Sequence, residues 1–421
     1  MSRFGGLKTL GLAGALVGAA AAGAAAGMVA ERYAVTRSRK ITDDPFAEEP
    51  FGLLPADAEL TIPAADGLPL HAEIVEPDGT GEPPELTIVF VHGFCLDMGT
   101  WHFQRKAITE QIAARRAGKG DPADPRARLV FYDQPGHGRS GRREGADYQL
   151  DQLGADLAAV IAETAPEGPL ILAGHSMGAM TIMALAESNP GLFESRVAGV
   201  ALISTSAGHL DEVGLGIPPA LARFRKPLMP TISGALRWQP ELAEVGRRAG
   251  SDLAYLLTRR YGFGSGDPSP ALVEYVEHMN ANTSVAVIAA YLGTLSEHDR
   301  YAALEVFDGL EVLIVCGDRD MLTPVAHTRE MARLLPGAEL VEVADGGHVT
   351  LMEHPELVNA HFIAFVRRAA AAARSGRPSA RTRLGQAERG AEAAAERAEK
   401  AAGSGPEARR SMRRVLRRRG A

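Results

Sequence analysis

Cysteine and tryptophan are scarce in this chain of 421 residues, which contains two of each. Two cysteines are too few for a disulfide framework, and 46% hydrophobic residues are enough for a sizeable packed core. The sequence also has no His-Glu-x-x-His motif, no paired-cysteine motif, no phosphate-binding loop and no dinucleotide fingerprint. We therefore expect a globular protein that needs neither a metal nor a cofactor.

The net charge of −7 is distributed unevenly along the chain. Residues 1–40 carry +5 (six basic residues, one acidic) and residues 374–421 carry +9 (fourteen basic, five acidic), which leaves −21 on residues 41–373. An acidic body between basic ends is a poor nucleic-acid binder, so no nucleic-acid partner is predicted. The basic ends could instead meet an anionic membrane surface.

Residues 9–30 form a run of 22 uncharged residues, mostly Ala and Gly, which is long enough to span a bilayer. The run exceeds the usual apolar core of a signal peptide. We therefore predict a retained single-pass transmembrane helix within residues 1–40, while a cleaved signal peptide, leaving a secreted protein, is the alternative. Four basic residues follow the run and two precede it, so the positive-inside rule predicts that the body of the protein lies in the cytoplasm.

Residues 41–57 are rich in proline and acidic residues and are predicted as a linker. Between residues 58 and 373, strand-length apolar segments alternate with helical stretches. The segments are 58–62, 70–75, 86–91, 129–133, 170–174, 197–204, 312–317 and 340–344. The first two flank Asp66-Gly67, a hairpin motif. The alternation predicts an α/β domain with a mostly parallel sheet flanked by helices and a ligand site beyond the carboxyl ends of its strands.

Two stretches depart from this alternation. Residues from about 206 to 300 are too long for a single crossover and contain several helical runs, so an inserted helical cap is predicted there. Residues 374–421 contain mainly Arg, Ala, Glu, Gly and Ser without an apolar stripe. They are predicted to form a basic, disordered tail.

The motif Gly174-His175-Ser176-Met177-Gly178 follows an apolar strand and precedes strong helix formers. This is the strand-turn-helix context of a nucleophile elbow. The turn is tight, so the residues two before and two after the serine must lack bulk. Ser176 is the predicted nucleophile, and the amide N–H of Met177 is a predicted oxyanion donor. An ordinary strand-to-helix turn is the alternative if the motif is taken alone.

Two loops follow neighbouring strands at the same predicted sheet edge. His92-Gly93-Phe94 turns after the strand at 86–91, so the amide N–H of Phe94 is the predicted second oxyanion donor. The loop from Asp133 to Ser140 is predicted to be structural, with Asp133 accepting hydrogen bonds from backbone amides. His137 is assigned to that loop and not to catalysis.

A serine nucleophile needs a base, and the base needs a carboxylate that fixes its tautomer. Gly317-Asp318-Arg319-Asp320 ends one strand segment, and Gly346-Gly347-His348 follows the last one. The order Ser, Asp, His is the one used by α/β-hydrolases.

From about residue 58 to 368 the chain resembles the α/β-hydrolase fold superfamily, in its lidded esterase/lipase-like branch. The resemblance rests on the motifs at 92–94, 174–178, 317–320 and 346–348. It implies a catalytic triad of Ser176, Asp320 and His348, with Asp320 preferred over Asp318, and an oxyanion hole formed by Phe94 and Met177.

The resemblance also implies acyl-serine chemistry, because epoxide hydrolases and dehalogenases of this fold have Asp at the position of Ser176. In the family's strand order, Cys95 and Cys316 lie three strand positions apart, roughly 14 Å. Both thiols should then be free, because a disulfide requires closer Cα atoms.

These observations predict a membrane-anchored serine hydrolase that acts on a small acyl substrate such as a carboxylic ester. Acyl transfer to an alcohol, haloperoxidase or perhydrolase chemistry with the same triad, and a non-catalytic binding protein are the alternatives. The cap is predicted to give the substrate site an apolar roof. Its candidate lining residues are Leu228, Met229, Ile232, Leu236, Trp238, Tyr275 and Met279, with Phe94 and Trp101 from the core.

Overall fold

The structure is a computed structural model that describes residues 44–77, 82–143, 148–210, 213 and 251–375. The strands within these ranges are β1 (Ala58–Pro63), β2 (Pro69–Val75), β3 (Leu86–Val91), β4 (Ala127–Tyr132), β5 (Leu170–His175), β6 (Val197–Ile203), β7 (Glu311–Gly317) and β8 (Glu339–Val343). The helices are α1 (His102–Arg116), α2 (Leu150–Thr164), α3 (Met177–Ser188), α4 (Pro190–Ser195), α5 (Ser251–Gly262), α6 (Pro270–Asn282), α7 (Val285–Ser296), α8 (Ala303–Phe307), α9 (Val325–Leu334), α10 (Thr350–Glu353) and α11 (Pro355–Arg374). A short 3₁₀ helix, Met98–Trp101, precedes α1.

The strands form one sheet in the order β1-β2-β4-β3-β5-β6-β7-β8. Strands β3 to β8 run parallel, and β2 is antiparallel to both of its neighbours, β1 and β4. The predicted α/β fold is therefore confirmed. The hairpin turn falls at Asp66-Gly67 as predicted, and Gly67 has a φ of 82°, a conformation that glycine adopts without steric cost.

The central strands β3 and β5 are buried on both faces, which explains why they are continuously apolar. In β3, Phe90 belongs to the apolar cluster that contains Ile108 of α1 and Phe362 of α11. Val89 and Val91, which point to the other face, belong to the cluster on the side of α2 and α3. Since the parallel strands end at one edge, the loops after β3, β5, β7 and β8 are brought together there.

Residues 44–57, most of the predicted linker, form an N-terminal strap packed on the domain. The Oδ2 atom of Asp44 accepts a hydrogen bond from the amide N–H of Ala271 at the start of α6, at 2.9 Å. The ring of Phe51 stacks on Tyr275 of α6 with centroids 4.6 Å apart, and Phe46 packs on Phe103 of α1 at 5.1 Å. The strap therefore holds α6 against the α/β core.

The predicted cap region contains α5, α6 and α7, and residues 211–212 and 214–250 of this region lie outside the described residues. The predicted membrane anchor at 9–30 and residues 376–421 of the predicted tail also lie outside them. Among the helices of the described ranges, none has the length and apolarity needed to cross a membrane. Helix α11 ends at Arg374, where the tail was predicted to begin.

His298, which follows α7, is expected to make the protein sensitive to acid. Burial lowers the pKa of His298 to about 4. The hydrogen bond from its ring to the carbonyl oxygen of Ser206, at 2.9 Å, raises the pKa but by less than burial lowers it. The unfolded side chain has a pKa of ~6.5. Between these values the unfolded state binds one more proton than the native state, so the free energy of unfolding falls as the pH falls, by up to ~1.4 kcal/mol per pH unit.

A His298→Gln variant keeps an N–H donor for Ser206 but cannot take up this proton. Its free energy of unfolding should therefore fall less steeply than that of the wild type between about pH 6.5 and 4.5. Urea denaturation of both proteins across this range measures the two slopes. Equal slopes would contradict the assignment of His298 as a buried neutral histidine.

Candidate active site

Ser176 lies between the end of β5 and the start of α3 in a strained turn. Its φ is 52° and its ψ −119°, a left-handed conformation that non-glycine residues rarely adopt. A Cβ atom on Gly174 would lie 2.5 Å from the backbone nitrogen of Ala179, and one on Gly178 would collide with the carbonyl oxygen of Val91. The glycines at these two positions therefore let β5, α3 and β3 approach closely enough to form the elbow.

The structure brings Ser176, His348 and Asp320 into one hydrogen-bonded chain. The Oγ atom of Ser176 lies 2.9 Å from Nε2 of His348, and Nδ1 of His348 lies 2.9 Å from Oδ2 of Asp320. With a proton on Nδ1, the Nε2 lone pair faces the serine hydroxyl. This is the arrangement in which an imidazole can accept the serine proton.

Asp320 is buried, whereas the rival Asp318 is exposed. The Oδ1 atom of Asp320 accepts hydrogen bonds from the amide N–H groups of Leu322 and Thr323 at 2.8 and 2.9 Å. Burial alone would raise the pKa of Asp320, but the charge of His348 and the hydrogen bonds from His348 and Thr323 outweigh it and lower the pKa. The carboxylate is thus ionised at neutral pH and faces the imidazole.

Two residues with no role predicted from the sequence support His348. The hydroxyl of Thr323 donates to Oδ2 of Asp320 at 2.8 Å. The Nε2–H of His175 donates to the carbonyl oxygen of His348 at 2.9 Å, and burial together with the charge of His348 lowers the pKa of His175 to about 3. His175 therefore stays neutral and keeps this N–H. The spacing Asp-x-x-Thr could have indicated the contact between Thr323 and Asp320. Nothing in the sequence indicated the contact between His175 and His348.

The predicted oxyanion donors are the amide N–H groups of Phe94 and Met177. Phe94 and Met177 both line the cavity that contains Ser176, and Met177 is the first residue of α3. Within the described part of the chain, neither N–H donates a hydrogen bond. Both remain available to a developing oxyanion, and the N-terminus of α3 adds a favourable dipole.

The loop after β4 is structural, as predicted, and it contacts the chain just after the predicted oxyanion loop. Asp133 accepts hydrogen bonds from the amide N–H groups of Met98 at 2.9 Å and Arg139 at 2.8 Å. Burial, and then the charge of Asp97, raises the pKa of Asp133 to about 7.

Nε2 of His137 accepts the amide N–H of Cys95 at 3.1 Å, and burial lowers the pKa of His137 to about 4. His137 is thus a structural acceptor.

A cavity of about 470 Å³, here called the Ser176 cavity, opens above the nucleophile. Its wall is largely apolar and is built from the core and from α5, α6 and α7. The apolar lining includes Phe94, Leu96, Met177, Met180, Leu210, Leu257, Val276, Ile288, Leu292, Leu295 and Val349. The described part of the cap therefore provides an apolar roof.

Two predicted substrate contacts do not line the Ser176 cavity. Trp101 is fully buried in the core, where its ring packs on Phe90 with centroids 5.1 Å apart. Met279 is buried on another side of α6, where it lines a second cavity of about 370 Å³ together with Tyr275. These residues serve the packing of α6 and the 3₁₀ helix. Trp238 and the other predicted roof residues at 228–236 lie outside the described residues.

Cys95 and Cys316 do not form a disulfide bond, as the resemblance implied. Burial raises the pKa of the Cys316 thiol to about 12, so it stays protonated. Among the described residues, no group of three or more His, Cys, Asp or Glu side chains is placed to hold a metal ion.

A family model described as the alpha/beta hydrolase fold matches residues 87–355. The chain belongs to the α/β hydrolase fold family. The matched range includes Ser176, Asp320 and His348 and the loops on either side of them. The relatives include proteins named as esterases, lipases and acyltransferase components.

Three comparisons illustrate this range. The chain is 27% identical over 277 residues to the dihydrolipoyllysine-residue acetyltransferase component of an acetoin cleaving system from Cupriavidus necator, covering 65% of this chain but only 62% of that protein. It is 26% identical to the pimeloyl-[acyl-carrier protein] methyl ester esterase of Aeromonas salmonicida, covering 66% of this chain and 92% of the esterase. A solved esterase from Thermogutta terrifontis shares the fold, with a TM-score of 0.54, 22% identity, and coverage of 74% of this chain and 99% of that one.

Proposed function

We propose that the protein is a serine hydrolase that cleaves a carboxylic ester, or a related acyl compound, through an acyl-serine intermediate. The proposal is carried by one observation, the chain of 2.9 Å contacts from Ser176 Oγ through His348 to Asp320. The amide N–H groups of Phe94 and Met177, which line the same cavity, donate no hydrogen bond to any described residue. This arrangement supplies a nucleophile, a base, an orienting carboxylate and oxyanion donors within one apolar cavity.

In the first half of the reaction, Oγ of Ser176 attacks the ester carbonyl carbon while its proton moves to Nε2 of His348. The carbonyl oxygen becomes an oxyanion that the N–H groups of Phe94 and Met177 stabilise. Asp320 stabilises the imidazolium and keeps its other proton on Nδ1. His348 then donates the Nε2 proton to the alcohol oxygen, the carbon–oxygen bond breaks, and the acyl group remains on Ser176.

In the second half, water attacks the acyl carbon and gives a proton to Nε2 of His348. The tetrahedral intermediate collapses, His348 returns the proton to Oγ of Ser176, and the carboxylic acid leaves. The same residues serve both halves because the leaving alcohol and the incoming water occupy the same side of the acyl group.

Acyl transfer is the second candidate, and the relative named as an acetyltransferase component favours it. The chain spans less than two thirds of that relative, so its activity is only a guide. An alcohol or thiol that intercepts the acyl-serine faster than water does would convert hydrolysis into transfer. Product analysis with and without such acceptors, at equal ester concentration, distinguishes the two activities.

The apolar wall of the Ser176 cavity should make the rate rise with the length of the acyl chain. Each buried methylene contributes at most ~0.8 kcal/mol, so the four methylenes between acetyl and hexanoyl give an upper limit of ~3 kcal/mol. The quantity kcat/KM should therefore rise from acetyl to hexanoyl p-nitrophenyl esters and fall once the cavity is full. A flat profile from acetyl to dodecanoyl would contradict an apolar acyl site.

We also propose, from the sequence of residues 9–30, that a transmembrane helix anchors this enzyme and that basic residues at both ends attract anionic lipid. Each Lys or Arg near such a surface contributes ~1 kcal/mol. Full-length protein should therefore sediment with membranes and resist extraction by salt. Uncleaved protein in the supernatant would rule out the anchor, and a shortened form beginning near residue 31 would support a signal peptide instead.

A further inference from the structure

Helix α6 contributes an acidic residue, Glu277, to the wall of the Ser176 cavity. Val276, Glu277, Asn280 and Ala281, which recur at helical spacing, line this cavity, while another side of α6 lines the second cavity. Glu277 is the only acidic side chain among the described lining residues, and these include no Lys or Arg. The described wall of the Ser176 cavity is therefore mostly apolar, with His348 and a few uncharged polar groups. Glu277 adds one negative charge to this wall.

The surroundings of Glu277 leave this charge uncompensated within the described residues. Glu277 is half-buried and forms no hydrogen bond or ion pair with any described residue. Its neighbour Asn280 is held in place, because its side-chain amide donates to Oγ1 of Thr258 at 3.1 Å. A carboxylate beside an apolar wall is screened by water less than one on an open surface, so its field extends into the cavity.

We propose that Glu277 determines the acyl specificity of the enzyme by excluding acyl chains that end in a carboxylate and accepting neutral ones. This inference rests on the proposed function and adds a substrate class to it. A distal carboxylate entering the cavity must shed its water and approach a like charge. A chain that ends in a methyl group meets only the apolar wall, so Glu277 costs it nothing.

The test compares p-nitrophenyl esters of matched length that end in methyl or carboxylate, namely hexanoate against adipate and octanoate against suberate. For the wild type, kcat/KM should favour the neutral ester at one or both lengths. In Glu277→Gln, which keeps the size and removes the charge, this preference should fall by about tenfold through faster cleavage of the anionic ester. Glu277→Lys should lower the preference further.

The matched control is Glu274→Gln, which makes the same change on an exposed face of α6. It should leave the preference unchanged, because it alters the net charge of the protein but not the cavity wall. An unchanged preference in Glu277→Gln at both lengths, or an equal change in the control, would overturn the proposal.

A binding measurement separates this inference from the proposed function. Calorimetric titration with hexanamide and adipamic acid, which differ only in the distal group, requires no turnover. Weaker binding of adipamic acid that recovers in Glu277→Gln supports the role of Glu277 even in a protein without esterase activity. Equal binding of the two compounds by the wild type would overturn that role, whatever the enzyme hydrolyses.

Discussion

Replacement of Ser176 by alanine is expected to lower kcat for ester hydrolysis on the order of 10⁶-fold, and His348→Ala should cost about as much, since members of a triad act as a unit. The reason is the 2.9 Å contact between Ser176 Oγ and His348 Nε2, without which neither attack nor proton transfer occurs. Alanine keeps the Cβ atom, so the elbow with its φ of 52° is no more strained than before. Initial rates with the best ester of the chain-length series measure the effect.

Ser188→Ala is the matched control for this experiment. Ser188 ends the same helix α3, and its hydroxyl donates to the carbonyl oxygen of Leu185, at 3.2 Å. The control should hydrolyse esters at close to the wild-type rate. If Ser176→Ala did so as well, with equal folded fraction by circular dichroism, Ser176 would not be the nucleophile.

Asp320→Asn is expected to lower kcat by up to ~10⁴-fold while the fold is retained. An asparagine amide would donate to Nδ1 of His348, which shifts the imidazole proton to Nε2 and leaves no acceptor for the serine proton. Asp318→Asn makes the same chemical change two residues earlier, on an exposed side chain. It should have little effect, and a larger loss for Asp318→Asn than for Asp320→Asn would reverse the assignment.

Much of the fold could be predicted because buried parallel strands are short apolar runs. The segment 86–91 coincides with β3, and 129–133 is displaced from β4 by two residues at its start. Ser176, Asp320 and His348 lie far apart in sequence, yet each follows a strand that ends at the same sheet edge. Their proximity could therefore be inferred from chain order, as could the close backbone approach at Gly174.

The lining of the cavity could not be predicted in the same way. Trp101 and Met279 have the size and apolarity of substrate contacts, but the same properties suit a packed core, and only the path of the chain decides between them. The N-terminal strap was predicted as a linker because of its proline and acidic residues. Its two phenylalanines find their partners on α1 and α6, whose positions the local sequence does not specify. Likewise, His175 contacts a carbonyl group 173 residues away.

The central claim is that Ser176 is the residue that becomes acylated. Labelling of the full-length protein with a fluorophosphonate, followed by proteolysis and peptide mass spectrometry, tests it most directly. The account predicts one modified serine in the peptide that contains Gly174-His175-Ser176-Met177-Gly178, with labelling abolished in Ser176→Ala and strongly reduced in His348→Ala. Modification of a different serine, or undiminished labelling of Ser176→Ala, would contradict it.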